Sequence, residues 1–452
     1  MASIRPFSAL RYAAGRVRPE DVLTQPYDKI SPAMYAGYLE RSPYNLARLI
    51  LPIPPSDSHG GSAAVAQGEQ IPPPYTQAAE RLQAWRREGV LRRDERPGIY
   101  PYRQTFIPPG SSQIHVRQGL IGLGRVEPYE KRIVFRHEQT LSGPKADRRW
   151  LLRATRAHFG QIFMLYGTPG QNPETEIWDR VRQPVVDITD EFGVRHELFY
   201  EDDAAVIGRL QQAMSAETLV IADGHHRYET ALGFSQETRA GSAAPEGALP
   251  TDWVMMTFIH QESPGLVVLP THRVVHGLAG WDARALLARL GQWFRLEPVA
   301  APASQWREAW PRLEAKLDVQ AAPPIATLAM AGDERLQALY LKPECDRAQL
   351  LAAYPAAQRN LDLALAHELI LHRGLEMTPE AVQQGGHIAY LREADEALRR
   401  VIAGEAQMAM LVRAIPARTV CEVARSGGVM PQKATDFYPK LLSGLTIYAT
   451  GE

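Results

Sequence analysis

Cysteine is almost missing: Cys345 and Cys421 are the two thiols in 452 residues, and neither has a second thiol nearby in sequence. That excludes a disulfide framework and a thiolate zinc site, and it suits a reducing compartment. Long apolar runs are missing too. No stretch reaches the length of a membrane span, and MASIRPFSALRYAAGRVRPE at the start lacks the continuous apolar core of a signal peptide. The expected location is cytoplasmic, with no membrane partner. Charge of one sign is not in excess: Lys and Arg number 50, Asp and Glu 51, and the formal net charge is -1. Nothing electrostatic calls for nucleic acid or an anionic membrane, so the expected partner is a small-molecule substrate. The common catalytic signatures are also absent. There is no GxxxxGK[ST] phosphate loop, no GxGxxG after a strand, no HExxH and no GxSxG elbow.

What is present is an ordinary globular composition, 45% hydrophobic and 22% charged. The chain is long for one hydrophobic core, which implies two or three packed units. Helical and strand patterns alternate throughout, so the expected class is α+β, or mixed α/β. Residues 1–280 read as a mixed α/β unit. Within it, the Pro/Gly/Ser-rich stretch 53–74 reads as a mobile insertion and 233–250 as a linker-like loop. Residues 281–452 turn Ala/Leu/Arg-rich and read as a helix-rich unit with a docking C-terminal tail. VLTQPYDKIS is expected to be a short strand entering a turn, and YNLARLILP to be extended.

The sharpest chemical signal is ADGHHRYETAL at 222–232. An apolar strand, ETLVIAD, ends on Asp223, Gly224 permits a tight turn, and a helix begins near His226. Backbone N–H groups at a helix start, with Arg227 beside them, form a ready phosphate site. Asp223 is suited to hold Mg²⁺ or take a proton, and His225 to acid–base work. The bland alternative is an Asp helix cap with two structural histidines. Second comes HEQTLSGPKADRR at 137–149, which gathers His137, Glu138, Thr140, Lys145, Asp147, Arg148 and Arg149 around Gly143-Pro144. Its cations suit an anionic group and Glu138 suits a base; the bland reading is a solvated loop before a helix. Asp28 and Asn45 read equally well as turn residues. His272 and Arg273 follow a strand, and Lys433, Thr435, Tyr438 and Lys440 in MPQKATDFYPKLLSGL either complete a site or dock the tail. The side chains of 137–148 and 223–227 are expected to converge on one cleft.

Together QPYDKIS, HEQTLSGPKADR, ADGHHRYETAL, LPTHR and MPQKATDFYPKLLSGL resemble, in order and across nearly the whole chain, the family known as domain of unknown function 1015. That resemblance implies no activity. More distantly, the DGHHR turn before an Ala-containing helix resembles the phosphate-gripping box of the ParB/sulfiredoxin-like superfamily. This second resemblance implies a ParB/sulfiredoxin-like core, with Gly224, His225, His226 and Arg227 binding phosphate. The superfamily includes CTP-dependent partition switches, sulfiredoxins and kinases of free serine.

Three functions compete. The first is a small-molecule phosphotransferase acting on free serine or a similar hydroxyl compound. Gly224, His226, Arg227, Lys145 and Arg148 would bind phosphate, and Asp223, His225 and Glu138 would be catalytic. The cofactor is left open; Mg²⁺ with a nucleotide or pyrophosphate donor fits these charges. The second is a nucleotide-binding regulatory protein without turnover, whose nucleic-acid version the neutral charge and missing reading motif oppose. The third is a metal-dependent hydrolase built on His137, His225, His226 and Asp223, for which no ligand spacing is recognised. The first is the expected function.

Overall fold

The computed structural model describes residues 1–55, 70–138, 142–167, 172–299, 302–318, 323–384, 386–431 and 433–451. It divides into two compact units. The first comprises 1–108, 112–266 and 439–452; the second comprises 109–111 and 267–438. The division therefore falls at 266/267, ahead of the expected 280, and the last residues of the chain return to the first unit. Helices and sheets are mixed in both units, as the sequence pattern implies.

The first unit is built on a nine-stranded sheet. Its strands are β1 (Ile4–Arg5), β2 (Tyr100–Phe106), β3 (His115–Arg125), β4 (Val134–Phe135), β5 (Ile162–Tyr166), β6 (Val186–Thr189), β7 (Arg195–Leu198), β8 (Leu219–Asp223) and β9 (Trp253–His260). The order is β4-β8-β5-β9-β3-β2-β7-β6, with β1 paired to β3. β5 and β9 run parallel, as do β8 and β4, and the other pairs are antiparallel. Central strands buried on both faces need continuous apolar sequence, which IFMLY, LVIA and WVMMTFI supply. One core gathers Met164, Ile221, Met256 and Phe258 with Leu210, Met214 and Tyr228. A second gathers Tyr38, Leu49, Trp85, Trp150 and Phe159.

Three helices pack into these cores: α1 (Pro73–Arg87), α2 (Ser142–Thr155) and α3 (His225–Arg239). α2 buries Trp150 and Leu151, and α3 buries Tyr228, Ala231 and Phe234 at helical spacing. The second unit carries a six-stranded sheet together with its helices. Among the described residues no helix is long and apolar enough to cross a membrane.

Several local expectations change. Residues 233–239, read as linker, are the last turns of α3, because Phe234 and Ser235 are buried. Pro73 and Pro74 open α1, where a proline's fixed φ and missing N–H cost nothing. Most of the proposed insertion, 56–69, lies outside the described residues, as does Thr140. The expected strand in VLTQ shrinks to a single bridge between Thr24 and Ser443, and Tyr27–Lys29 forms a 3₁₀ turn. Ala47–Ile50 is helical, not extended. The buried Asn45 amide fixes that turn, accepting from the Ala47 N–H at 3.0 Å and donating to the Asp21 carbonyl at 2.8 Å.

Candidate functional site

β8 does not end as a regular strand. Ile221 pairs with Met164 and Asp223 with Phe163, so β8 advances two residues where β5 advances one, and Ala222 is the extra residue. In a regular strand Asp223 would face the same side as Ile221, which sits in the core. The bulge breaks that alternation and takes the carboxylate out of the core. Gly224 follows at φ 95°, ψ 26°, a left-handed conformation that side chains beyond glycine adopt at a cost. It is the N-cap of α3, and as glycine it has no side chain with which to cap that helix start.

Both Asp223 oxygens are engaged: Oδ1 accepts from Lys440 Nζ at 3.0 Å and Oδ2 from Arg227 Nη2 at 2.8 Å. Burial alone would push this carboxyl up. The Lys440 and Arg227 cations and the Lys440 hydrogen bond outweigh it, and Asp223 titrates well below the usual carboxylate range. Arg227 is closely seated. A Cβ on Gly224 would lie 3.0 Å from its Nε and Nη2, and one on Gly160 would lie 3.1 Å from its Nη1. Lys440 is positioned through the backbone: its carbonyl accepts from Gln104 Nε2 at 3.0 Å, and the Pro439 carbonyl accepts from the buried Arg117 guanidinium. Burial pushes Arg117 down to about 10, against the pull of Tyr102 and Asp223.

The 137–149 segment meets this turn. His137 Nδ1 lies 2.6 Å from the Ile221 carbonyl and donates to it. The His137 backbone N–H donates to His225 Nε2 at 3.4 Å, and the two rings meet edge-on with centroids 4.7 Å apart. Accepting at Nε2 leaves the His225 proton on Nδ1, which lies 3.9 Å from Glu138 Oε2. Burial lowers His137 to about 4 and takes His225 well below its ordinary value, so both are neutral near pH 7. Half-buried His226 is also lowered by burial, with Glu138 pulling the other way.

Lys145 pairs with Glu229 of α3. Arg148 pairs with Asp147 and stacks over the Tyr27 ring, 4.0 Å from its centroid. Burial raises the Tyr27 hydroxyl to about 12; Asp28 adds to this, and Arg148 and Arg227 oppose it. Arg148, Arg227, Tyr27, Gly160 and Ser443 line a cavity of about 60 Å³. That is room for a few water molecules, the scale of one phosphoryl group and not of a whole nucleotide.

Asp223, Gly224, His225, His226 and Arg227 thus stand with Glu138, Lys145 and Arg148 around one turn. Lys145 and Arg148 of α2 each already carry a carboxylate partner. Asp28 lies near enough for its charge to act on Tyr27 and His226, whereas Asn45 is structural. His272 and Arg273 belong to the other unit, where Arg273 is buried, donates to His367 Nε2 at 3.1 Å and to the Lys433 carbonyl at 3.2 Å. Sequence reasoning missed Tyr27, Gly160, Arg117 and Ser443. Tyr27 had a signal, its place in QPYDKIS. Among the described residues no three His, Cys, Asp or Glu side chains form a group able to hold a metal ion, so the hydrolase ligand set is not assembled.

Residues 4–364 match the model of a family described as "Protein of unknown function (DUF1015)". No curated protein matches the chain at a significant level. Similar solved structures include a conserved hypothetical protein from Pyrococcus furiosus, 12% identical, covering 68% of this chain and 90% of that one at a TM-score of 0.31. Another is a free serine kinase in complex with AMP, 12% identical, covering 69% and 89% at 0.32. A third is SbnI with a C-terminal truncation, from Staphylococcus aureus, 11% identical, covering 72% and 87% at 0.34. Likeness at this level bears on neither the site nor its chemistry.

Proposed function

The chain belongs to the DUF1015 family, and since that description assigns no activity, we propose one from the site: a small-molecule phosphotransferase, kinase-like, with free serine or a similar hydroxyl compound as acceptor. The observation that carries this reading is the Lys440–Asp223–Arg227 ion triad at a helix start whose N-cap is a glycine, beside a cavity that Arg148 and Arg227 share. Helix-start N–H groups and a guanidinium fork are complementary to phosphate oxygens. In the proposed site the first turn of α3, with Gly224, His226 and Arg227, holds the transferred group, and Arg148 and Lys145 add positive charge at its edge.

Glu138, with a 40% exposed side chain, is the general base: it takes the acceptor's hydroxyl proton as oxygen bonds to phosphorus and the bond to the leaving oxygen breaks. His225, neutral, presents Nδ1–H toward that carboxylate and orients it. Asp223 stays ionised beneath its two cations and fixes their direction. The acceptor class rests on the resemblance of the DGHHR turn to that of the serine kinases' superfamily.

The test is a panel of nucleotides and pyrophosphate, with and without Mg²⁺, read as melting temperature on the purified chain. Stabilisation by one phosphate donor, followed by its consumption when serine is added, is the expected outcome. A chain that no phosphate compound stabilises would refute the reading.

A further inference from the structure

A second and larger cavity, about 470 Å³, shares no lining residue with the one beside Arg227. Its volume is that of a small-molecule site. One wall is the two-stranded ribbon of Leu10–Tyr12 and Leu91–Arg93, whose register sets Arg11 directly opposite Arg92. Like charges facing each other across a ribbon destabilise it unless something neutralises them. Asp94 is the carboxylate among the lining residues, and Arg11 takes it: Arg11 Nε donates to Oδ2 at 2.8 Å and to Oδ1 at 3.1 Å. Asp94 Oδ2 also accepts from the Tyr100 hydroxyl at 2.7 Å. Arg92 makes no hydrogen bond or ion pair among the described residues. The cavity thus carries one uncompensated positive charge.

Most of the other lining side chains are apolar, Val17, Leu23 and Leu445 among them. Val185, on the same lining, leaves 43% of its surface exposed. An unneutralised guanidinium beside unfilled apolar surface selects a particular ligand chemistry. The head must be a planar anion that a guanidinium fork meets with two parallel hydrogen bonds, which is a carboxylate. The body must be apolar and small enough for the volume.

We infer that this cavity is a binding site for a small apolar monocarboxylate, with Arg92 as the residue that captures its head group. The site is independent of the phosphotransfer reading.

Hexanoate and benzoate are the probes, titrated calorimetrically into the full chain, with hexanol as the apolar-only control and inorganic phosphate as the charge-only control. The carboxylates are expected to bind and hexanol to bind far more weakly. Arg92→Gln, at an exposed position, should keep the wild-type melting temperature and weaken carboxylate binding roughly tenfold, the effect of losing one charge-assisted pair. Val185→Phe, which fills the apolar side, should weaken it comparably, while Arg227→Lys leaves it unchanged. Absence of carboxylate binding overturns the inference, and so does an affinity that Arg92→Gln does not alter. A loss in Arg227→Lys places the ligand in the other cavity and overturns it as well.

Discussion

Replacing Asp223 by asparagine preserves its shape and removes the one negative charge between Lys440 and Arg227. The pairs stand at 3.0 and 2.8 Å. At an effective dielectric of about 20, each is worth roughly 5–6 kcal/mol of Coulomb attraction before the cost of removing three charges from water. That cost cancels much of the gain, and losing one member of a buried pair costs about 3–5 kcal/mol. The side chains of Asp223, Arg227 and Lys440 retain 22%, 15% and 10% exposure, so the lower end applies. The expected loss is about 3 kcal/mol, or a melting temperature roughly 6 °C lower.

Urea unfolding of four chains at pH 7 checks this: wild type, Asp223→Asn, Lys440→Met, and the double variant. If the triad is coupled, the double variant loses less than the sum of the singles by about 1–2 kcal/mol, because once Lys440 is gone Asp223 has one cation fewer to lose. The sign with pH follows from the lowered carboxyl. Asp223 contributes above its unfolded pKa of about 4 and loses that contribution only as pH falls through its lower folded value, so the coupling should be the same at pH 7 and pH 5. Additive singles, or an Asp223→Asn chain within about 0.5 kcal/mol of wild type, would refute the reasoning.

Arg227→Lys keeps the charge and loses the fork, so phosphate-compound affinity should fall about tenfold while the melting temperature changes little; calorimetric titration of whichever donor the wild type binds decides it. Gly224→Ala combines a left-handed backbone with a Cβ 3.0 Å from the Arg227 guanidinium, and should cost roughly 1–2 kcal/mol of stability and weaken the same binding. Burial lowers His137 to about 4, so between pH 6.5 and 4 the unfolded chain binds a proton that the folded chain refuses. Stability should therefore fall as pH drops through that window, and His137→Gln should flatten the melting-temperature profile there by about 3 kcal/mol of linkage.

The parts of the fold legible in the sequence are those whose burial leaves one reading. Ile162–Tyr166, Leu219–Asp223 and Trp253–His260 are apolar without alternation because they occupy the sheet's middle. The turn at Gly224 was legible because a polar run after such a strand has few other uses. The end of α3 was not. Gly233, Ser235 and Thr238 carry loop propensity, and what overrides it is tertiary: Phe234 and Ser235 are buried, and Arg239 is held by Asp252. Ala47–Ile50 hid for a similar reason, since its turn depends on the Asn45 amide.

The site divides along the same physical line. Asp223 and Arg227 are four residues apart on one turn, so local geometry brings them together and the sequence shows it. Lys440 lies 217 residues from Asp223, and no spacing rule connects them. What connects them is the sheet. Gln104 on β2 and Arg117 on β3 hold the backbone carbonyls of Lys440 and Pro439, and Arg117 lies over Phe163, the residue paired with Asp223 across the bulge. A buried arginine must spend its donors on acceptors that stay fixed, and backbone carbonyls of a docked tail are such acceptors. The C-terminal segment is therefore part of the first unit's core, and its lysine reaches the strand-end carboxylate because the sheet beneath fixes both partners. Sequence reading finds the half of the triad that one turn makes; the other half is a property of the sheet's strand order.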